Sequence, residues 1–260
     1  MRIDLHNHTK LCNHATGEME EYVKKAIEVG IDVFGFSCHN PMNFDEKYRM
    51  SFEQLPFYLS EIERLKEKYK SKIAIKKALE IDFLPGFMNE DLLKLDLDYR
   101  IGAVHFLGTW GFDNPEFLSE YSKRDINDCW EEYFEATRNL AKSGKFDIIA
   151  HMDLLKVFNY RPTKDLRSTI EKTLRTIKKA NIVVEINPAG LRKEVKEQYP
   201  SRDILELCYE LEIPITFGSD AHSVEHIGFE NDTIKALAKK IGYTKCANFT
   251  KRDRELVEIS

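Results

Sequence analysis

Phe52-Glu-Gln-Leu-Pro-Phe-Tyr-Leu-Ser-Glu-Ile-Glu-Arg-Leu-Lys-Glu-Lys-Tyr-Lys70, followed after two residues by Ile73-Ala-Ile-Lys-Lys-Ala-Leu-Glu-Ile81, decides the fold. In the first part Leu55, Tyr58, Leu59, Ile62 and Leu65 recur every three or four residues, with lysines and glutamates on the opposite face, the period of an amphipathic helix. The second part is a short apolar run of strand type. The same succession extends in both directions. Strands are expected at Ile3–Leu5, Val33–Ser37, Tyr99–Val104, Asp147–Ala150, Ile182–Ile186 and Ile213–Phe217, and helices at Met19–Val29, Ile126–Ser143, Thr163–Ala180, Arg202–Leu211 and Asp232–Ile241. Strand–helix alternation implies a parallel sheet. With no linker or composition break, it predicts a closed or nearly closed α/β barrel forming a single domain over residues 1–260. An open doubly wound sheet fits less well, because no glycine-rich phosphate loop follows any strand.

The bulk numbers are those of a globular protein: 42% hydrophobic and 32% charged residues. No apolar run has the eighteen or so residues of a membrane span, and charge in Met-Arg-Ile-Asp-Leu-His6 stands where a secretory leader would be apolar. A cytoplasmic location is expected. The net charge of −5 argues against a broad nucleic-acid surface. It leaves room for an anionic small molecule at a metal-dominated site. The cysteines Cys12, Cys38, Cys129, Cys208 and Cys246 are odd in number and scattered, which fits reduced thiols better than a disulfide framework.

The ionisable residues fall at particular places. His6 and His8 end the first expected strand, and His39 lies just beyond the second. Glu80 and Asp82 close the third, His105 the fourth, and His151 and Asp153 the fifth; Asp220 and His222 follow the seventh. In a barrel of parallel strands these ends converge on one rim. Residues two apart on a strand share a face, so His6 and His8 can grip one ion. Taken singly they read as well as loop histidines, and Asp220 with His222 as a helix cap and an exposed histidine. Glu80, inside an apolar strand, needs a partner, which could be a metal or a lysine. The pattern as a whole points to a metal site.

These segments resemble the PHP (polymerase and histidinol phosphatase) domain family. The match rests on Asp4-Leu-His-Asn-His-Thr9, Gly35-Phe-Ser-Cys-His39, Leu79-Glu-Ile-Asp82, Gly102-Ala-Val-His105, Ala150-His-Met-Asp153 and Gly218-Ser-Asp-Ala-His222. The stretches Cys12–Gly17, Tyr48–Met50, Glu185–Lys193 and Tyr199–Ser201 are similar to the histidinol-phosphate phosphatase subgroup. Cys38 stands where the family commonly has aspartate, and Ala78 where it has glycine. The resemblance implies a distorted (β/α)7 TIM-like barrel with three divalent transition-metal ions (zinc, iron or manganese). His6, His8, Glu80 and Asp220 would hold the first, Glu80, His105 and His151 the second, and His14, His39 and His222 the third. His226 has no place in that scheme.

The implied reaction is hydrolysis of L-histidinol phosphate to L-histidinol and phosphate, a late step of histidine biosynthesis, by metal-bound hydroxide. Glu80, Asp220 and Asp153 are the candidate catalytic carboxylates, with Asp153 expected to orient His151 or move a proton. Arg161 and Arg192 are the candidate phosphate-binding residues, with Arg49 and Lys193 behind them. Asp82 reads as structural. Phe106, Trp110, Phe112 and Tyr160 could wall a pocket or simply pack. The alternatives are another phosphoesterase (nucleotide, phosphotyrosine or exonuclease-like) and a non-catalytic metal-binding module.

Overall fold

Strand and helix alternate from the first residues onward. A computed structural model describes all 260 residues, in this order: β1 (Ile3–Asp4), α1 (Met19–Glu28), β2 (Val33–Phe36), α2 (Leu55–Tyr69), β3 (Ala74–Asp82), β4 (Tyr99–Ala103), β5 (Phe106–Leu107), β6 (Trp110–Gly111), α3 (Ile126–Lys142), β7 (Ile148–Ile149), α4 (Arg167–Ala180), β8 (Val183–Ile186), α5 (Arg202–Glu210), β9 (Ile215–Phe217), α6 (Asn231–Ile241), β10 (Lys245–Thr250) and β11 (Asp253–Glu258). All seven expected strands and all six expected helices are present, with ends shifted by at most four residues.

The seven strands pair in parallel in the order β1-β2-β3-β4-β7-β8-β9. The sheet nearly closes on itself: Leu5 N donates to Phe217 O at 2.9 Å, Asp220 N to His6 O at 2.7 Å, and His8 N to Ala221 O at 2.9 Å. This is a distorted α/β barrel; β3 and β4 are joined by a short 3-10 turn, Glu90–Lys94, in place of a helix.

Strands such as β2, Val-Phe-Gly-Phe, are buried on both faces, as parallel strands covered by helices must be. Alternate residues enter the barrel, so Ile3 and Leu5, Tyr99, Ile101 and Ala103, and Ile148 and Ala150 share one apolar cluster inside it. The outward residues pack against the apolar stripes of α1 to α5 in a second cluster. Capping fixes the helix entries: Asp125 Oδ1 accepts from Asn127 N and Asp128 N ahead of α3, and Glu18 and Glu21 form a reciprocal box at α1.

Beyond Ile241, where the sequence suggests no element, the antiparallel hairpin β10–β11 crosses the barrel's N-terminal end. Cys246, Ala247 and Phe249 join the interior cluster, and Thr216 Oγ1 donates to Ala247 O at 2.9 Å. One end of the barrel is thus plugged, leaving the C-terminal end of the strands as the accessible one.

Candidate metal centre

The candidate ligands lie at the ends of the parallel strands or in the loops that follow them. β1 delivers His6 and His8, β3 delivers Glu80, and His105 and His151 follow β4 and β7. Asp220 and His222 come from the loop after β9, while His14 follows a 3-10 turn, Lys10–Cys12, after β1. His39 forms an isolated parallel bridge with Glu80, three residues beyond the last β2–β3 pair, Phe36 with Lys77, and in the same register. Two ligand positions carry left-handed backbone, Asp220 at φ 51° and His151 at φ 21°. Non-glycine residues in that region are uncommon and cluster at functional sites.

Glu80 is the hub. Its Oε2 lies 3.4 Å from His6 Nε2, 3.5 Å from His8 Nε2 and 3.0 Å from His39 Nδ1. Its Oε1 lies 2.9 Å from His151 Nε2 and 3.6 Å from His105 Nε2. Asp220 Oδ1 completes the near side, 3.1 Å from His8 Nε2 and 4.0 Å from His6 Nε2. Donors bound at about 2.0–2.2 Å to one ion stand roughly 3.0–3.5 Å apart, so this spacing is that of a ligand cage. Glu80 Oε2 and His39 Nδ1 are buried and, although 3.0 Å apart, are not aligned for a hydrogen bond and have no other partner, a costly state for polar atoms unless a cation completes them. His6, His8 and Glu80 form one buried group of ligand atoms within 4.8 Å of one another, and His8, His39 and His222 a second that is partly exposed. The residues fit divalent metal.

The electrostatics agree. Burial alone would drive His6, His8 and His105 toward neutrality, but the facing carboxylates outweigh it, holding His6 well above its usual range, His8 at about 9 and His105 at about 10. Burial would raise Glu80 and Asp220, yet the surrounding histidines hold both well below the carboxylate range. His39 and His222, and to the same side the more exposed His14, are pushed down by desolvation in the crowded site and by the neighbouring charge of His8.

Around the cage the outward nitrogens of four histidines are fixed by acceptors, as ligand histidines usually are, whereas His8 Nδ1 and His151 Nδ1 are buried without one. Glu185 Oε1 takes His6 Nδ1 at 2.7 Å, and Asp82 Oδ1 takes His105 Nδ1 at 2.7 Å. His14 Nδ1 reaches Cys12 O at 2.8 Å, and His222 Nδ1 reaches Asp220 O at 3.1 Å. Glu185 carries no sequence expectation of its own, although a glutamate in the apolar Val-Val-Glu-Ile strand is the same signal as Glu80. Its approach to His6 depends on Gly218, where a Cβ would lie 2.3 Å from both Glu185 Oε1 and His6 Cβ.

Other expected residues are placed differently. Asp153 makes no hydrogen bond to His151; it pairs with Lys156 Nζ at 2.9 Å and accepts from Ser201 N at 2.8 Å. His151 is instead steadied through its backbone N–H, which donates to Glu185 Oε2 at 2.8 Å. Arg161 is exposed and paired with Glu197 at 2.8 Å, away from the cavity lining. Arg49 is buried between Asp82 and Asp45, at 3.0 and 3.1 Å, and stiffens the segment Cys38–Met50.

The cage opens into a cavity of about 720 Å³, lined by Arg192 and Lys193 on one side and by Asp45 and Asp113 among other residues. Arg192 Nη2 is tied to the carbonyls of Ser219 and Asp220, both at 3.0 Å, while its Nη1 is buried without a partner. His226 and Phe106 also line this cavity. Trp110 and Phe112 lie in the core, and Tyr160 stacks on Tyr121 at 4.1 Å.

A family model for the PHP domain matches residues 4–189. The chain is 38% identical over 247 residues to the "Probable histidinol-phosphatase" of Deinococcus radiodurans, covering 93% of this chain and 94% of that one. It is 28% identical over 258 residues to the histidinol-phosphatase of Bacillus subtilis, covering 87% and 95%. The crystal structure of histidinol phosphate phosphatase from Lactococcus lactis subsp. lactis, complexed with Zn, L-histidinol and phosphate, superposes with a TM-score of 0.79 over 98% of both chains at 21% identity, a likeness of fold.

Proposed function

The chain belongs to the PHP domain family, and we propose that it is a metal-dependent histidinol-phosphatase, cleaving L-histidinol phosphate to L-histidinol and phosphate. The observation that carries this reading is Glu80, a fully buried carboxylate with ring nitrogens of five histidines within 3.6 Å of its two oxygens.

In this reading His6, His8, Glu80 and Asp220 hold one ion, Glu80, His105 and His151 a second, and His14, His39 and His222 a third. Imidazole and carboxylate together suit zinc, iron or manganese. The third set is supported by His14 Nε2 and His222 Nε2, 3.0 Å apart, while His39 leans its Nδ1 toward Glu80. When bound, such ions would lower the pKa of a water and neutralise phosphate oxygens.

The chain's own residues do the rest. With an ion bound, Glu185 and Asp82 would keep the remaining ring proton of His6 and His105 on Nδ1 and so direct Nε2 to the ion. Arg192, its Nη2 anchored and its Nη1 free, presents a charged donor to a phosphate oxygen. Lys193 adds positive charge at the mouth. The whole of residues 1–260 serves as one catalytic domain. Turnover of a small biosynthetic phosphomonoester suits the cytoplasm, where the five unpaired cysteines stay reduced.

A panel of phosphomonoesters, with single-stranded DNA as a nuclease control, tests the substrate. Histidinol phosphate should give the highest kcat/KM. A nucleotide, a phosphotyrosine peptide or DNA turned over faster would replace this reading with another phosphoesterase.

A further inference from the structure

Tyr199 is a core residue with an unexplained polar end. It is 1% exposed, and its hydroxyl, fully buried, meets no protein donor or acceptor. A buried hydroxyl left unpaired costs stability, so its retention calls for a partner from outside the fold. The side chain belongs to the wall of the cavity that also holds Glu80, His151, Asp220 and Arg192.

Its placement is fixed from several directions. The backbone of Tyr199 pairs with Asn187 in an isolated antiparallel bridge, N to O at 2.8 Å and O to N at 2.7 Å. Asn187 in turn donates from Nδ2 to Glu185 Oε2 at 3.1 Å and to Asp220 Oδ2 at 3.3 Å. The ring stands edge-on to His151, with centroids 6.4 Å apart. It rests on Gly190, where a Cβ would come within 2.9 Å of the ring carbon bearing the hydroxyl. Lys156 Nζ lies over the ring, 5.3 Å from its centroid. The hydroxyl is therefore held in place without being consumed by the fold.

We infer that the Tyr199 hydroxyl is a substrate-directed hydrogen-bond donor, which binds an oxygen of the phosphoryl group beside the metal cage. The inference rests on the phosphatase reading above. A neutral donor suits this position. Burial, reinforced by the charges of Asp153 and Asp220, keeps the phenol protonated far above neutral pH, so it can only donate to an anionic oxygen. Tyr199 would complement Arg192, which supplies positive charge to the same group.

The test is Tyr199→Phe, which removes one oxygen and leaves the ring packing intact. If the hydroxyl only fills space or binds water, the variant should match wild type in kcat/KM and in affinity for inorganic phosphate. That outcome, with wild type fully active, would overturn the inference and leave the phosphatase reading standing. The expected result is an unchanged or raised Tm, metal content equal to wild type, a kcat/KM on histidinol phosphate lowered about 10- to 100-fold, and weaker inhibition by inorganic phosphate. Wild type that turns over no phosphomonoester would instead defeat the phosphatase reading. In that case, thermal-shift titration with inorganic phosphate still decides the role of Tyr199: a smaller shift in the variant supports it, and an equal shift refutes it.

Discussion

Glu185 and His6, 179 residues apart in the chain, meet with Oε1 2.7 Å from Nδ1, both side chains fully buried. The contact joins β8 to β1 across the barrel interior and settles which nitrogen of His6 faces Glu80. Glu185 also accepts from the backbone of His151, so one carboxylate positions two candidate ligands. Glu185→Gln removes the charge and leaves one accepting oxygen where His6 and His151 need two, so it should lower metal affinity about 10- to 100-fold, the usual effect of disrupting a ligand's hydrogen-bond partner. Metal titration of the chelated protein, followed by competition with a chromophoric chelator, measures it. Wild-type affinity in the variant would remove Glu185 from the account.

Glu80→Gln keeps the size of the side chain but removes the charge shared by the histidines. The metal content of the purified variant should fall by at least one ion, and turnover by roughly a thousandfold or more. Mass-spectrometric metal analysis beside the kinetics checks both. A fully loaded, active variant would mean that Glu80 is not the bridge.

Arg192 and Arg161 should part company. Arg192 reaches the cavity with a free, buried Nη1, whereas Arg161 is exposed and bound to Glu197. Arg192→Ala should raise KM about 10- to 100-fold, and Arg161→Ala should change KM less than threefold, as expected of a surface ion pair. Steady-state kinetics of the two variants decide it; equal effects would require Glu197 to release Arg161 toward the substrate.

The histidine cluster sets a pH dependence. His8 at about 9 and His105 at about 10 lie above the unfolded value of about 6.5. In metal-free protein their contribution to stability is complete below pH ~6.5 and is lost as the pH rises through 9 and 10. His14, His39 and His222 lie below their usual value, so they reduce stability once the pH falls under about 6.5. Glu80 and Asp220 reinforce that loss in acid. The Tm of chelated protein should therefore peak near neutrality and fall toward pH 10. Metal must displace the protons on His8 and His105, so binding at pH 7.5 should release more than one proton per chain. Calorimetry in two buffers of different ionisation enthalpy reads this directly, and a buffer-independent enthalpy would contradict it.

Much of this was legible in the sequence, for a physical reason. Parallel strands read as short apolar runs, and whatever ends them lands on one rim, so His6, His8, Glu80, His105, His151 and Asp220 could be placed together from their positions alone. What escaped was set by tertiary contact. Asp153, two residues beyond His151, turns on a left-handed backbone (φ 74°) toward Lys156 and Ser201. The partner that serves His151 is Glu185, from the next strand in the sheet. The hairpin β10–β11 was missed because much of its sequence is polar, and only its contacts with the barrel floor bury Cys246 and Phe249.

The most direct test of the central claim is kcat/KM for L-histidinol phosphate on one preparation, measured as isolated, after chelation, and after reconstitution with zinc, manganese or iron, with metal per chain counted each time. Turnover should disappear with the metal and return as the sites refill. Full turnover by metal-free protein, or none by metal-replete protein, would contradict it.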